Sequence, residues 1–240
     1  MKKIRALSVV IALSSVSISA QAIEIYNNGP VVDGEKLSIT DGSSWGWGAQ
    51  TNSNNRIGED FSITAGEIWN IESINFFAYQ TGSTSFTFQT ANWSIISGDI
   101  NSGTIVASGI TSVTDNELVG YRVTTTTTTN TQRGIYSIAA DVSDFSLSTG
   151  NYWLTWSLAG SLSSGPWVPG IANNPAGGNA VQSILGAAFA PLTQTGSETS
   201  VTLPFALNGT VSAVPEPTSL SLMLGGLALL GGASRRRSAV

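Results

Sequence analysis

Between residues 23 and 213 the chain alternates apolar and polar positions with a period of two, the signature of strands with one face buried. Ile74, Phe76 and Ala78 fall on one face of such a strand. So do Tyr152, Leu154, Trp156 and Leu158, with Trp153, Thr155 and Ser157 on the other. Phe61–Ile63, Ile68–Tyr79, Phe86–Phe88, Trp93–Ser97, Thr104–Ser108, Leu118–Thr129, Gly134–Val142, Tyr152–Ala159 and Val201–Val211 all read as strands. Asn101-Ser102-Gly103 has the chemistry of a hairpin connection, and Ser148-Thr149-Gly150-Asn151 that of a turn. Pro204 places the last strand at a sheet edge, because proline cannot donate to a ladder. Ala180–Phe189 is the best short helix candidate. Residues 41–55 and 164–180 are glycine- or proline-interrupted and predict irregular loops. Many short strands with polar turns predict an all-β fold, a single β-sandwich of jelly-roll-like form rather than a closed barrel.

The two ends break the pattern. Lys2, Lys3 and Arg5 precede an apolar stretch, Ala6–Ile18, and Ala20-Gln21-Ala22 follows. This is the layout of a secretory signal peptide over residues 1–22, cut by signal peptidase after Ala22. At the other end, Pro215-Glu216-Pro217 precedes an apolar run at about 218–234 and then Arg235, Arg236 and Arg237. That run would give a single hydrophobic helix of roughly 25 Å, a marginal span for a hydrocarbon core about 30 Å thick. The arginines would remain cytoplasmic. The two prolines hold Glu216 out of helical geometry and separate the run from the domain before it.

This ordered tail, residues 214–240, resembles the PEP-CTERM sorting signal, a module also known as the ice-binding protein C-terminal domain. The resemblance implies an exported protein of a Gram-negative bacterium. It would be held briefly in the inner membrane, processed by an exosortase, and delivered to the cell surface or the exopolysaccharide matrix of a biofilm. An ordinary C-terminal anchor is the alternative. Ile74-Asn75-Phe76-Phe77-Ala78-Tyr79-Gln80-Thr81-Gly82, Gly150-Asn151-Tyr152-Trp153-Leu154 and Gly165-Pro166-Trp167 resemble uncharacterised exported bacterial β domains, a likeness that brings no activity with it.

Removing the ends changes the charge. Residues 23–234 hold four Lys or Arg against 15 Asp or Glu, a net of −11, so nucleic acid is not an expected partner. The chain has no histidine and no cysteine. Ser-His-Asp and Cys-His catalysis and conventional zinc sites are therefore excluded. Glycoside hydrolysis or lyase chemistry needs carboxylates alone, and Glu59, Asp60, Glu67, Glu72, Asp141 and Asp144 are available, although their spacing selects no pair. The simpler reading is that they are solvated. Asp141 and Asp144 could join backbone oxygens in a structural Ca²⁺ site; no other cofactor is expected.

Of the seven tryptophans, Trp69, Trp93 and Trp156 sit in core phase. Trp45, Trp47, Trp153 and Trp167 are candidates for carbohydrate binding, in which a flat ring covers sugar C–H surface. Trp45-Gly46-Trp47-Gly48 stands out because its glycines offer no bulk to bury the rings. Packing beneath long loops is the alternative. Thr124–Thr129 invites an ice-binding reading, but six consecutive threonines put only about three on a face. The leading expectation is a non-enzymatic structural or polysaccharide-interacting surface protein.

Overall fold

Two very long strands, β4 (Arg56–Ala78) and β7 (Gly134–Gly160), pair antiparallel along nearly their whole length and carry the architecture. Trp156 pairs with Ile57 near one end of this ribbon, and Phe76 pairs with Ile138 near the other. Were β4 straight, about 60 Å would separate Ile57 from Phe76. Yet the Phe76 and Trp156 ring centroids are 5.6 Å apart. The ribbon therefore doubles over on itself. Its bend falls where the register shifts between Ile63 and Ile68, and Gly66, at φ +88°, supplies a backbone state that other residues resist.

The structure is a computed structural model that describes residues 22–172 and 178–214. Besides β4 and β7 it contains β1 (Ile23–Asn27), β2 (Leu37–Thr40), β3 (Trp47–Gly48), β5 (Phe88–Ser97), β6 (Thr104–Thr124), β8 (Trp167–Val168), β9 (Val181–Ser183), β10 (Ala190–Pro191) and β11 (Phe205–Ala213). One turn of 3-10 helix, Thr51–Ser53, is the only helical element among the described residues. The all-β prediction holds, as a large mixed sheet folded into two layers.

One layer runs β9, the first part of β4, the second part of β7, β5 and the first part of β6. The other runs β1, β11, the second part of β4, the first part of β7, the second part of β6 and β2, the last joined to β6 in parallel. Between them lie Ile57, Phe61, Ile74, Phe76, Leu154 and Trp156, all at most 2% exposed. Tyr26, Phe61, Trp69, Tyr152 and Phe205 form an aromatic cluster with centroids 5.4–6.1 Å apart, and the Phe61–Phe205 contact crosses the layers.

The phase predictions hold for Ile74, Phe76 and Ala78 and for Tyr152, Leu154, Trp156 and Leu158, all of them in the core. Asn101-Ser102-Gly103 closes the β5–β6 hairpin, where Asp99 Oδ1 accepts the N–H groups of Asn101 and Ser102. Five expectations change. Ser148-Thr149-Gly150-Asn151 is not a turn but part of β7, with Ser148, Gly150 and Asn151 pairing with Ile68, Ile63 and Ser62 of β4, and the strand expected from Phe86 begins only at Phe88. Ala180–Phe189 is β9 followed by a turn, not a helix: Val181–Ser183 pairs with the β4 edge, and Leu185 and Gly186 adopt positive φ. The strand after Pro204 is internal, flanked by β1 and β4, because the strand begins one residue beyond the proline. The threonine run leaves β6 at Thr124 and folds into turns, Thr127 N–H donating to Thr124 O and Asn130 N–H to Thr127 O, so it presents no flat strand row.

No helix among the described residues is long and apolar enough to cross a membrane. The expected signal peptide over 1–22, cut after Ala22, lies outside the described residues except for Ala22 itself. So do the helix at about 218–234, Pro215, Glu216, Pro217 and the three terminal arginines.

Candidate functional site

At the end of the sandwich away from the bend, a cleft of about 560 Å³ opens between β2, β3 and the segments around Ile171, Gln194 and Val201. Its polar lining includes Asp33, Thr40, Asp41 and Gln194, and Trp47 forms part of its wall. β3 is positioned by pairing with β8, Trp47 opposite Val168 and Gly48 opposite Trp167. Gly46 permits that approach, since a Cβ there would lie 3.1 Å from Val168 O and 3.2 Å from Trp167 Cβ. The glycines flanking Trp47 thus serve close packing, and all four candidate tryptophans are half-buried rather than freely exposed.

Arg122 underlies the cleft and is 6% exposed. Its Nε–H donates to Trp45 O at 2.8 Å, one Nη to Ser38 Oγ at 2.9 Å, and the other to Ser44 O at 2.8 Å. One guanidinium therefore ties the end of β6 to β2 and to the loop leading into β3. Burial pushes it down to about 10, opposed by the negative charge of Asp41, so it stays charged at neutral pH. Asp41 Oδ1 accepts the Ser43 hydroxyl at 2.6 Å and the Ser43 N–H at 2.8 Å, and these bonds hold its carboxyl below the ordinary value. Asp33 Oδ1 accepts N–H groups of Glu35 and Leu37 and fixes the turn into β2.

The four tryptophans predicted for sugar contact are not one constellation. Trp45, Trp47 and Trp167 gather at the cleft end, but only Trp47 lines the cleft. The face of Trp45 is taken by Arg133, whose guanidinium carbon is 4.0 Å from the ring centroid. Trp167 packs over Val31, Tyr79 and Ile135. Trp153 stands elsewhere, opposite Asp60 and Ile96 on the outer face of the other layer. Nearby on that face, Arg56 donates to Thr155 Oγ1 at 2.9 Å and Ser94 Oγ at 3.3 Å.

Among the carboxylates, Glu59 departs from the solvated reading. It is 2% exposed and accepts the Leu203 N–H at 2.6 Å. Burial pushes its carboxyl up to about 8. It does not line the cleft, so its perturbed state belongs to the core. Asp141 and Asp144 are exposed on β7, and no group of three or more His, Cys, Asp or Glu among the described residues could hold a metal ion.

Sequence reasoning missed Arg122, Asp33, Asp41 and Gln194 as neighbours of Trp47. They come from separate segments, and only the parallel β2–β6 pairing brings the first three together.

β11 runs away from the cleft. Its first residue, Phe205, pairs with Phe76, and its last, Ala213, pairs with Glu67 beside the bend, where Val214 N–H donates to Gly66 O at 2.8 Å. The last described residue, Val214, therefore lies about 30 Å along β11 from the strand's start.

Residues 213–237 match the PEP-CTERM protein-sorting motif. No curated protein and no solved structure matches the chain.

Proposed function

From the sorting motif on this exosortase-targeted, exported chain, we propose a non-enzymatic surface or matrix component of a Gram-negative bacterium that binds extracellular polysaccharide in the Trp47 cleft. In this reading, residues 1–22 direct export, residues 23–213 are the delivered domain, and residues 214–240 hold it in the inner membrane until exosortase cleavage. The observation that carries the binding role is a cleft with one aromatic wall and several side-chain oxygens, placed at the opposite end of the sandwich from Val214, the last residue described before the sorting motif's prolines. A chain tethered by its tail would thus point the cleft away from the membrane. Trp47 would cover sugar C–H surface, and Asp33, Thr40, Asp41 and Gln194 would satisfy hydroxyls.

Titration with purified exopolysaccharide is expected to quench tryptophan fluorescence without releasing reducing ends. Trp47→Ala should weaken binding at least tenfold, about 1.4 kcal/mol, whereas Trp153→Ala should leave it unchanged. Loss on Trp153→Ala alone would move the site to the other layer. Release of reducing ends, abolished by one Asp→Asn or Glu→Gln change, would replace binding with glycosidase or lyase chemistry.

Sorting has its own readout. Mass spectrometry of the surface form should find no peptide containing Arg235–Arg237, with cleavage near Pro215–Pro217. The combined Pro215→Ala, Glu216→Ala, Pro217→Ala variant should keep the tail and accumulate in the inner membrane. A surface form that retains the arginines would contradict this.

A further inference from the structure

The first part of β6 is an unprotected sheet edge. Thr104–Ser112 pairs with β5 on one side, and no described strand lies on the other. An open edge presents free N–H and C=O groups, and proteins usually blunt it with lysine, proline, inward charge or short length. Here the stretch from Ile100 to Thr114 contains no Lys, Arg, Asp, Glu or Pro. The other outer strands differ: β1 carries Glu24, β2 has four residues, and β10 ends in Pro191. Three large apolar side chains also stand out on the open edge, Ile105 at 59%, Val106 at 46% and Ile110 at 75% exposed.

The geometry points to antiparallel self-pairing of this edge, joining two copies of the chain through Ala107–Val113 about a two-fold axis at Ile110. A second copy is favoured as occupant by charge. Residues 23–213 hold four Lys or Arg against 14 Asp or Glu, a net of −10, so most approaches between copies are repulsive; this window carries no charge of its own, and Asp144 lies beside it on β7. The pattern is also self-complementary. The register shift between Ile95 and Ile96 makes Val106 a bulge and leaves regular alternation only from Ala107 onward. Ser108, Ile110 and Ser112 face outward there, opposite Ser94, Asn92 and Thr90 on β5. Pairing centred on Ile110 sets the two Ile110 side chains against each other. It places Ser108 opposite Ser112, and Gly109 opposite Thr111, with no like charges facing. Each sheet would continue into the next. The proposal is independent of any ligand in the cleft.

The cysteine-free chain allows a direct test. Directly opposed antiparallel residues have Cα atoms about 4.5–5.5 Å apart, within the reach of a disulfide. In the full chain extracted in mild detergent, Ile110→Cys should form disulfide-linked dimers under mild oxidation at least tenfold faster than the exposed control Thr126→Cys. Ser108→Cys and Ser112→Cys chains should cross-link when mixed and far more slowly when separate. Adding Ile110→Lys to that mixture should abolish the cross-link while the circular dichroism spectrum is unchanged, since this side chain is largely solvent-exposed. Equal rates for Ile110→Cys and Thr126→Cys, or cross-linking that survives Ile110→Lys, would overturn the pairing.

Discussion

Raising the pH from about 4.5 to about 8 is expected to destabilise the domain, and Glu59→Gln to remove that loss. Burial is the main reason that the Glu59 carboxyl moves from its ordinary 4.5 to about 8; the charge of Asp60 adds to it, and the Leu203 N–H opposes it. In the unfolded chain the same group ionises near 4.5. Between the two values the folded protein keeps a proton that the unfolded chain has released, so stability declines as pH rises. The contribution is fully present below about 4.5 and gone once the pH passes about 8. At 1.36 kcal/mol per pH unit, the total loss is on the order of 3–5 kcal/mol.

Glutamine has nearly the same shape, stays neutral and keeps an oxygen for the Leu203 N–H. Urea unfolding at pH 4.5, 6, 8 and 9 should therefore show E59Q and the parent chain close together at the acid end. E59Q should be several kcal/mol more stable at the alkaline end. The difference between the two profiles isolates Glu59 from the exposed acids, which titrate in both. Parallel profiles would mean that water or movement of Leu203 relieves the buried charge.

Glu59 also shows how far the sequence could be read. It falls in phase with Ile57, Phe61 and Ile63, so period-two alternation already placed it inside. Treating acids as solvated hid it. Where burial followed from alternation alone, as along Tyr152–Leu158, the strand and its inward face were both legible. The joining of Arg56–Ala78 into one strand was not, because Gly66 reads as a turn between two short strands whether the chain reverses or merely bends. Ala180–Phe189 misled for a related reason: its apolar spacing suits a helix, but the open side of β4 recruited Val181–Ser183 as a strand. The cleft was the least legible part. Trp47 could be nominated as an aromatic in a glycine-rich loop, but Arg122 lies 75 residues away, and pairing of β2 beside the end of β6 has no local signal.

Arg122 and Tyr79 are expected to be strongly coupled, because both donate to the carbonyl of Trp45. Arg122 Nε–H reaches that oxygen at 2.8 Å and the Tyr79 hydroxyl at 3.0 Å. Both residues are buried, at 6% and 1% exposure. Tyr79→Phe alone leaves the carbonyl paired with Arg122 and should cost about 1 kcal/mol. Arg122→Met removes a buried charge, which is favourable in itself, but it also removes bonds to Ser38, Ser44 and Trp45. Ser44 O keeps the Thr40 hydroxyl at 2.8 Å, so that carbonyl is not orphaned. The net cost should be about 2–3 kcal/mol. In the double variant Trp45 O loses both donors, and the loss should exceed the sum of the singles by about 1–2 kcal/mol. Denaturant titration of the four proteins in the cycle measures this directly. Since Trp47 follows two residues later on the same segment, the double variant should also lose polysaccharide binding more completely than either single. Additive stabilities would show that the Trp45 carbonyl finds another donor, and that the loop entering β3 does not depend on these two side chains for its position.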